Sequence, residues 1–113
     1  MVNLTDKQDF PAYSLDLVRS LAAEGKVLTS PTAQRDYENL GYGPDEVYEC
    51  LASLEDADFD SSVLYGETAR RLDVYKVRRV SPTGQLDNLY IKFELVKKLI
   101  CVRLVSFHRE RDI

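Results

Sequence analysis

The first half of the chain carries apolar residues at the spacing of amphipathic helices. Apolar side chains recur every three or four positions in three segments, which predicts three helices that each bury one face. Serine favours the capping position and proline the first helical position, so Ser30-Pro31 is a strong helix start. The three predicted helices begin near Ser14, Ser30 and Gly43, and the first two end at Gly25 and Gly41.

The second half changes to the two-residue alternation that is typical of β-strands. Residues 71–80 alternate and are rich in valine and tyrosine, residues 88–95 alternate again, and residues 99–107 form a third apolar segment. Short connections between sequential strands favour antiparallel pairing. The sequence therefore predicts an α+β fold, in which three N-terminal helices pack on one face of a C-terminal antiparallel β-sheet.

Three shorter segments complete the organisation of the chain. Residues 26–29 are compatible with an added edge strand, and residues 61–68 fit a strand, a loop, or both in succession. Residues 1–12 are expected to form a loose lead-in to the first helix. The length of 113 residues and the lack of an internal repeat predict that residues 1–113 form a single domain.

Composition argues against membrane, secreted and metal-binding classes. No apolar run approaches the roughly 18 residues that a transmembrane helix needs, and the first residues lack the basic and apolar regions of a secretion signal. We therefore expect a cytoplasmic protein without a membrane partner. Cys50 and Cys101 lie far apart and His108 is the single histidine, so we expect two reduced, buried cysteines, no metal and no cofactor.

Charge is divided unevenly between the two halves of the chain. Residues 1–60 hold 4 basic and 13 acidic side chains, a balance of −9, whereas residues 61–113 hold 11 basic and 6 acidic ones, a balance of +5. An acidic protein can thus present a basic sheet that attracts an anionic ligand. The alternative is that the basic sheet only pairs with the acidic helices of the same chain.

Tyrosine, lysine and histidine are expected to meet on one face of the sheet. Tyr90 and Lys92 are two residues apart on a strand, so they share a face at a spacing of about 7 Å, and His108 ends the last strand. Cations hold phosphates and tyrosine stacks on unpaired bases, which suits RNA. The predicted catalytic residues are His108, Tyr90 and Lys92, and the predicted RNA-binding residues are Arg70, Arg71, Lys76, Arg78 and Arg79.

Such a set can cleave RNA without a metal ion. The 2′-hydroxyl of RNA can attack its own phosphate if a base takes its proton, an acid protonates the leaving oxygen and cations offset the charge. Histidine titrates near neutral pH and suits either proton role. The simpler alternatives are a surface histidine at His108, a solvated strand face at Tyr90 and Lys92, and a sheet edge blunted by Arg78 and Arg79.

Six short segments are distributed along residues 13–108: Tyr13-Ser14-Leu15, Leu40-Gly41-Tyr42-Gly43, Asp58-Phe59, Asp73-Val74-Tyr75, Leu89-Tyr90-Ile91-Lys92 and Val105-Ser106-Phe107. In their order and spacing, these segments resemble the MqsR family of bacterial type II toxins. The resemblance implies a RelE-like α+β fold, metal-independent and sequence-selective cleavage of mRNA, and a cognate antitoxin partner.

The resemblance also assigns positions. The strand tyrosine of the family falls on Tyr90, and His108 stands where the family typically has a lysine. Ser61 stands where the family often has a lysine tied to activity, and Leu72 where it often has a glutamine. Besides an mRNA-cleaving toxin, these departures leave a catalytically impaired RNA- or protein-binding module of the same fold as an alternative. A third hypothesis is a basic partner docked on the acidic helices through Glu46, Glu49 and Glu55.

Overall fold

A computed structural model of the protein describes residues 7–110. The helices precede most of the sheet, and a short 3₁₀ turn at Asp56–Asp58 joins the two halves. The helices are Leu15–Ala23 (α1), Pro31–Asn39 (α2) and Pro44–Ala52 (α3), and the strands are Val27–Thr29 (β1), Phe59–Leu64 (β2), Arg71–Val80 (β3), Leu86–Val96 (β4) and Cys101–Arg109 (β5).

The strands form one five-stranded sheet in the order β1-β5-β4-β3-β2. Strands β2 to β5 pair antiparallel with their sequence neighbours, which confirms the predicted α+β fold with its antiparallel C-terminal sheet. The sheet is mixed because β1 pairs parallel to β5, with Val27 opposite Val102. The two segments that the sequence did not assign are now defined. Residues 27–29 form one edge strand, and the segment near residue 61 belongs to the opposite edge strand.

Serine side chains fix the starts of the first two helices, as the sequence predicts. The Ser14 hydroxyl accepts a hydrogen bond from the Leu17 amide at 3.3 Å, and the Ser30 hydroxyl accepts one from the Ala33 amide at 3.1 Å. Each bond satisfies a backbone N–H that the helix itself leaves without a partner. Ser30 also donates to the Val105 carbonyl at 3.1 Å, so the same side chain attaches α2 to β5.

The core lies between the helices and one face of the sheet, and aromatic rings fill its centre. Tyr75 and Phe93 stack from neighbouring strands with their centroids 5.4 Å apart. Phe107 on β5 receives Tyr37 and Tyr42 edge-on at 6.1 and 5.3 Å. All five side chains are buried, so β5 is anchored to the helical layer directly beside the end of the strand that carries His108.

The lead-in to α1 is attached to the sheet over the part that the structure describes. Gln8 forms a β-bridge with Ser62, and the amides of Ala12 and Tyr13 each donate to the buried Asp73 carboxylate at 3.0 Å. Residues 1–6 of the predicted lead-in lie outside the described residues. The contacts of residues 8–13 hold the start of α1 against β3.

Cys50 and Cys101 are both buried and free, which confirms their expected state. Among residues 7–110, no helix combines the length and the apolarity that are needed to span a bilayer.

Candidate functional site

Strand alternation decides which side chains of β4 face away from the helices. Leu89, Ile91 and Phe93 are fully buried in the helix-side core. Because successive residues of a strand point to opposite faces, Tyr90 and Lys92 lie on the other face, which we call the open face. The sequence prediction that these two residues share a face is confirmed.

Strand register brings His108 against Tyr90. Tyr90 is the partner of Lys76 on β3 and of His108 on β5. The rings of Tyr90 and His108 stack almost parallel, with centroids 5.0 Å apart and planes inclined by 10°. The Lys92 ammonium lies 6.0 Å from the centroid of the Tyr90 ring. Tyr90, Lys92 and His108 therefore form one group, the Tyr90 cluster.

The histidine of this cluster has a defined proton position. Its Nδ1 atom lies 2.8 Å from the Arg109 carbonyl oxygen. A carbonyl oxygen only accepts hydrogen bonds, so Nδ1 carries the hydrogen in the neutral ring and Nε2 keeps the lone pair. The His108 ring can thus accept a proton at Nε2 without breaking its bond to the backbone.

Burial shifts the pKa values of the other two members of the cluster, Tyr90 and Lys92. Burial, with a smaller contribution from the Asp60 carboxylate, raises the pKa of Tyr90, so its hydroxyl stays protonated and able to donate. Burial also lowers the pKa of Lys92, which sits opposite the buried Val74. Within residues 7–110 no carboxylate forms an ion pair with Lys92. Its ammonium is therefore partly desolvated and unpaired, a state that favours an incoming anion.

The remaining predicted RNA-binding residues are distributed over both faces. Lys76 lies beside the Tyr90 cluster, where it pairs with Asp60 at 3.4 Å and Glu110 at 2.9 Å. Arg78 is exposed on the open face and opposite Asn88.

The structure does not bring the other three predicted arginines to the cluster. Arg79 follows Arg78 in the strand, so it points to the helix side and reaches Glu49 at 3.4 Å. Arg71 donates to the Ser62 carbonyl at 2.9 Å. Arg70 lies on the open face but is bound to Glu94, further along β4.

Comparison with protein families decides the family of the chain. The family described as the motility quorum-sensing regulator, toxin of MqsA, matches residues 10–109. The chain belongs to this family. The match spans α1 to β5 and includes the whole Tyr90 cluster, which confirms the recognition made from short segments. A comparison with individually curated proteins found no match. Membership of the MqsR toxin family implies a toxin of a toxin–antitoxin system, with an antitoxin as its partner.

The two positions that depart from the MqsR pattern lie on the open face near the cluster. Ser61 is buried, donates to the Asp60 carboxylate at 2.8 Å and is opposite Val74, which is in turn opposite Lys92. Leu72 is also buried, and it lies outside the helix-side core. Neither residue supplies a charge, so Lys92 is the cation of the row that contains Ser61.

Two of the three acids that could dock a basic partner on this MqsR-family chain have partners within the chain. Glu46 accepts a hydrogen bond from the Gly43 amide at 3.3 Å and so caps α3. Glu49 pairs with Arg79 at 3.4 Å. These contacts account for two of the three acids without a basic partner protein.

Sequence reasoning missed Arg103, which is a third arginine on the open face, after Arg78 and Arg70. Its guanidinium lies 2.6 Å from Glu94, which also receives Arg70. Burial alone would raise the pKa of Glu94, but the hydrogen bonds from Arg70 and Arg103 hold it below its usual range. The available signal was an acid on β4 and a base on β5, each at the centre of an otherwise apolar segment.

Replacing Glu94 with glutamine should weaken the dependence of the free energy of unfolding on pH in the acid range. Because the pKa of Glu94 is lowered in the folded state, its contribution is complete above the ordinary glutamate value of about 4.3 and is lost as the pH falls. We expect Glu94→Gln to reduce the free energy of unfolding by about 2 kcal/mol at neutral pH, with a difference that shrinks in acid. Urea titrations at several pH values measure this.

The matched control is Glu24→Gln, since Glu24 is exposed and its ion pair with Lys26 is long, at 3.8 Å. A Glu94→Gln curve that stays parallel to wild type through the acid range would contradict the assignment.

Proposed function

We propose that this toxin is a metal-independent endoribonuclease that cleaves cytoplasmic mRNA with sequence selectivity. The observation that carries the proposal is the Tyr90 cluster: an aromatic ring stacked on a histidine, beside a partly desolvated lysine that forms no ion pair within residues 7–110. A proton acceptor, a proton donor and a phosphate-binding cation are the groups that RNA cleavage through the 2′-hydroxyl requires, and an exposed aromatic ring can stack on an unpaired base.

We assign the roles from the backbone hydrogen bond of His108, the hydroxyl of Tyr90 and the ammonium of Lys92. Nε2 of His108 accepts the proton of the 2′-hydroxyl as its oxygen forms a bond to phosphorus. The bond from phosphorus to the 5′-oxygen breaks, and the Tyr90 hydroxyl donates the proton that this oxygen needs. The Lys92 ammonium offsets the charge on the phosphorane oxygens, where a fixed cation stabilises the transition state more than the substrate. The products are a 2′,3′-cyclic phosphate and a free 5′-hydroxyl.

The nucleophile belongs to the substrate in this scheme. For that reason the reaction has no step at which a metal-bound water must attack, and it should proceed in EDTA. Arg78 is exposed on the open face near Lys76 and would bind a phosphate next to the scissile one. A cognate antitoxin should relieve growth arrest by this protein, as the family relationship implies.

A second candidate function is favoured by the departures from the family pattern. Ser61 and Leu72 are buried, and they supply neither the lysine nor the glutamine that the family often has at these two positions. A chain that keeps the RNA-binding face but lacks one family cation could bind RNA or protein without cutting. This catalytically impaired module predicts RNA affinity that weakens with salt, because phosphate contacts release counterions.

The test is cleavage of a mixed mRNA in EDTA by the purified protein, free of antitoxin, with and without ribosomes. We expect discrete cuts whose new 5′ ends carry hydroxyl groups. Lys92→Gln should reduce the rate by about 10²-fold, since it removes one donor to the transition state, whereas Lys98→Gln, on the exposed hairpin, should not. Salt-dependent binding without cuts in either condition would reject the nuclease and support the binding module.

A further inference from the structure

A second cationic group lies on the open face, beyond the Tyr90 cluster. Arg70 and Arg103 both contact the carboxylate of Glu94, and we call these three residues the arginine pair site. One guanidinium is enough to neutralise one carboxylate, so the group keeps a net charge of about +1. Within residues 7–110, neither arginine forms an ion pair with any other acid. The charge of one of the two guanidiniums is therefore not neutralised by Glu94.

The geometry of this group is that of a supported site rather than of mobile surface charges. The Glu94 side chain is 7% exposed, whereas those of Arg70 and Arg103 are 47% and 32% exposed. The Arg70 guanidinium also lies 5.2 Å from the centroid of the Tyr65 ring. A buried carboxylate and an aromatic ring therefore hold two guanidiniums at the surface.

Both guanidiniums retain donors. Within the described residues, Arg70 binds Glu94 through Nε and one terminal nitrogen, and Arg103 through one terminal nitrogen alone. The planar fork of the remaining N–H groups matches the oxygens of a phosphate.

The arginine pair site lies next to the Tyr90 cluster along β4. Lys92 and Glu94 are two residues apart on β4, so they lie on the same face at a spacing of roughly 7 Å. Arg103 is opposite Glu94 on β5, and Arg78 is opposite Asn88 on β3. From Asn88 to Glu94 the strand advances roughly 20 Å. Cations therefore occur at both ends of one line, with the stacked rings between them.

We propose that Arg103 and Arg70 bind a backbone phosphate of single-stranded RNA next to the nucleotide held at the Tyr90 cluster. The RNA strand then runs along β4, and Glu94 is a positioning residue that orients the two guanidiniums. This inference rests on the proposed function and extends it by a second phosphate subsite. RNA is favoured over an acidic peptide because the charges continue the line of a stacking site for bases.

The first experiment measures binding of a short single-stranded RNA with 2′-O-methyl groups, which lacks the attacking hydroxyl. We expect Arg103→Ala to weaken binding roughly tenfold and to reduce the slope of log K against log salt by about 0.7, the value for one phosphate of a single strand. Lys98→Ala is the matched control and should leave both quantities unchanged. A thermal melt of each variant shows that it is folded, and Arg103→Lys should restore part of the slope.

The second experiment locates the phosphate. Each phosphate of the same RNA is replaced in turn by an uncharged methylphosphonate, and binding is measured with wild type and Arg103→Ala. At one position the two changes should be non-additive, because they remove the two partners of one contact. Additive losses at every position would overturn the proposal, as would an Arg103→Ala variant that binds the antitoxin more weakly but RNA as tightly as wild type.

The two proposals fail in different ways. If Tyr90→Ala and Lys92→Gln weaken RNA binding and Arg103→Ala does not, the arginine pair site is rejected and the Tyr90 cluster stands. If none of the three changes RNA binding and Lys92→Gln also leaves the cleavage rate unchanged, the proposed function is rejected together with its extension.

Discussion

Replacing His108 with alanine is expected to lower the rate of RNA cleavage by about 10²–10⁴-fold, the usual contribution of a positioned general base. The physical reason is the fixed tautomer: Nδ1 donates to the Arg109 carbonyl, so Nε2 is free to accept a proton. Single-turnover cleavage of a mapped substrate measures the chemical step. RNA affinity should change far less than the rate.

His108→Phe separates proton transfer from stacking. Phenylalanine keeps an aromatic ring beside Tyr90, where the native rings are 5.0 Å apart, but it has no nitrogen. If His108 is the base, His108→Phe should lose as much rate as His108→Ala while retaining more RNA affinity. A phenylalanine variant that cleaves at the wild-type rate would reduce His108 to a stacking platform.

Replacing Phe107 with alanine is expected to lower the free energy of unfolding by about 3–5 kcal/mol. Phe107 is fully buried and receives two tyrosine rings edge-on, so truncation opens a cavity that stiff neighbours cannot fill. Small domains have only about 5–15 kcal/mol of stability in total. Urea titration should therefore show a large loss of stability, and the next residue in the strand, His108, should lose its fixed position.

The control for this prediction is Leu99→Ala, because Leu99 is 64% exposed and its truncation should cost little. Phe107→Leu fills most of the volume and should fall between the two. Equal losses for Phe107→Ala and Leu99→Ala would mean that the helix-side core does not depend on Phe107.

Local signals predicted most of the fold. Ser30-Pro31 starts α2 because one hydroxyl satisfies an amide of the first turn, and this interaction spans only three residues. The alternation in residues 71–80 gives β3 with the predicted bounds. The parallel pairing of β1 with β5 was not predicted, because it joins residues that are 75 apart, such as Val27 and Val102, and a three-residue strand has almost no pattern of its own.

The candidate site also depends partly on local alternation and partly on long-range strand pairing. Side chains alternate between the two faces along a strand, so Tyr90 and Lys92 share one face. For the same reason Arg78 and Arg79 lie on opposite faces. Register does not follow from alternation, since it depends on the hairpin after β4 and on an irregularity in the pairing of β4 with β5 next to Lys92. The pairing of His108 with Tyr90 and the convergence of Arg70 and Arg103 on Glu94 both depend on that register. Sequence therefore supplied the residue types, and long-range pairing decided which of them meet.

The position of β5 inside the sheet, between two other strands, has a consequence for the timing of toxicity during translation. This strand lies between β1 and β4, yet it is synthesised after the other four strands of the sheet. A nascent chain that ends before residue 101 has neither a partner for β1 nor the histidine of the Tyr90 cluster. Non-local pairing of this kind also slows folding. A ribosome that is making the protein is therefore expected to carry an unassembled and inactive toxin, whose activity begins only after β5 has been made and has inserted between its neighbours.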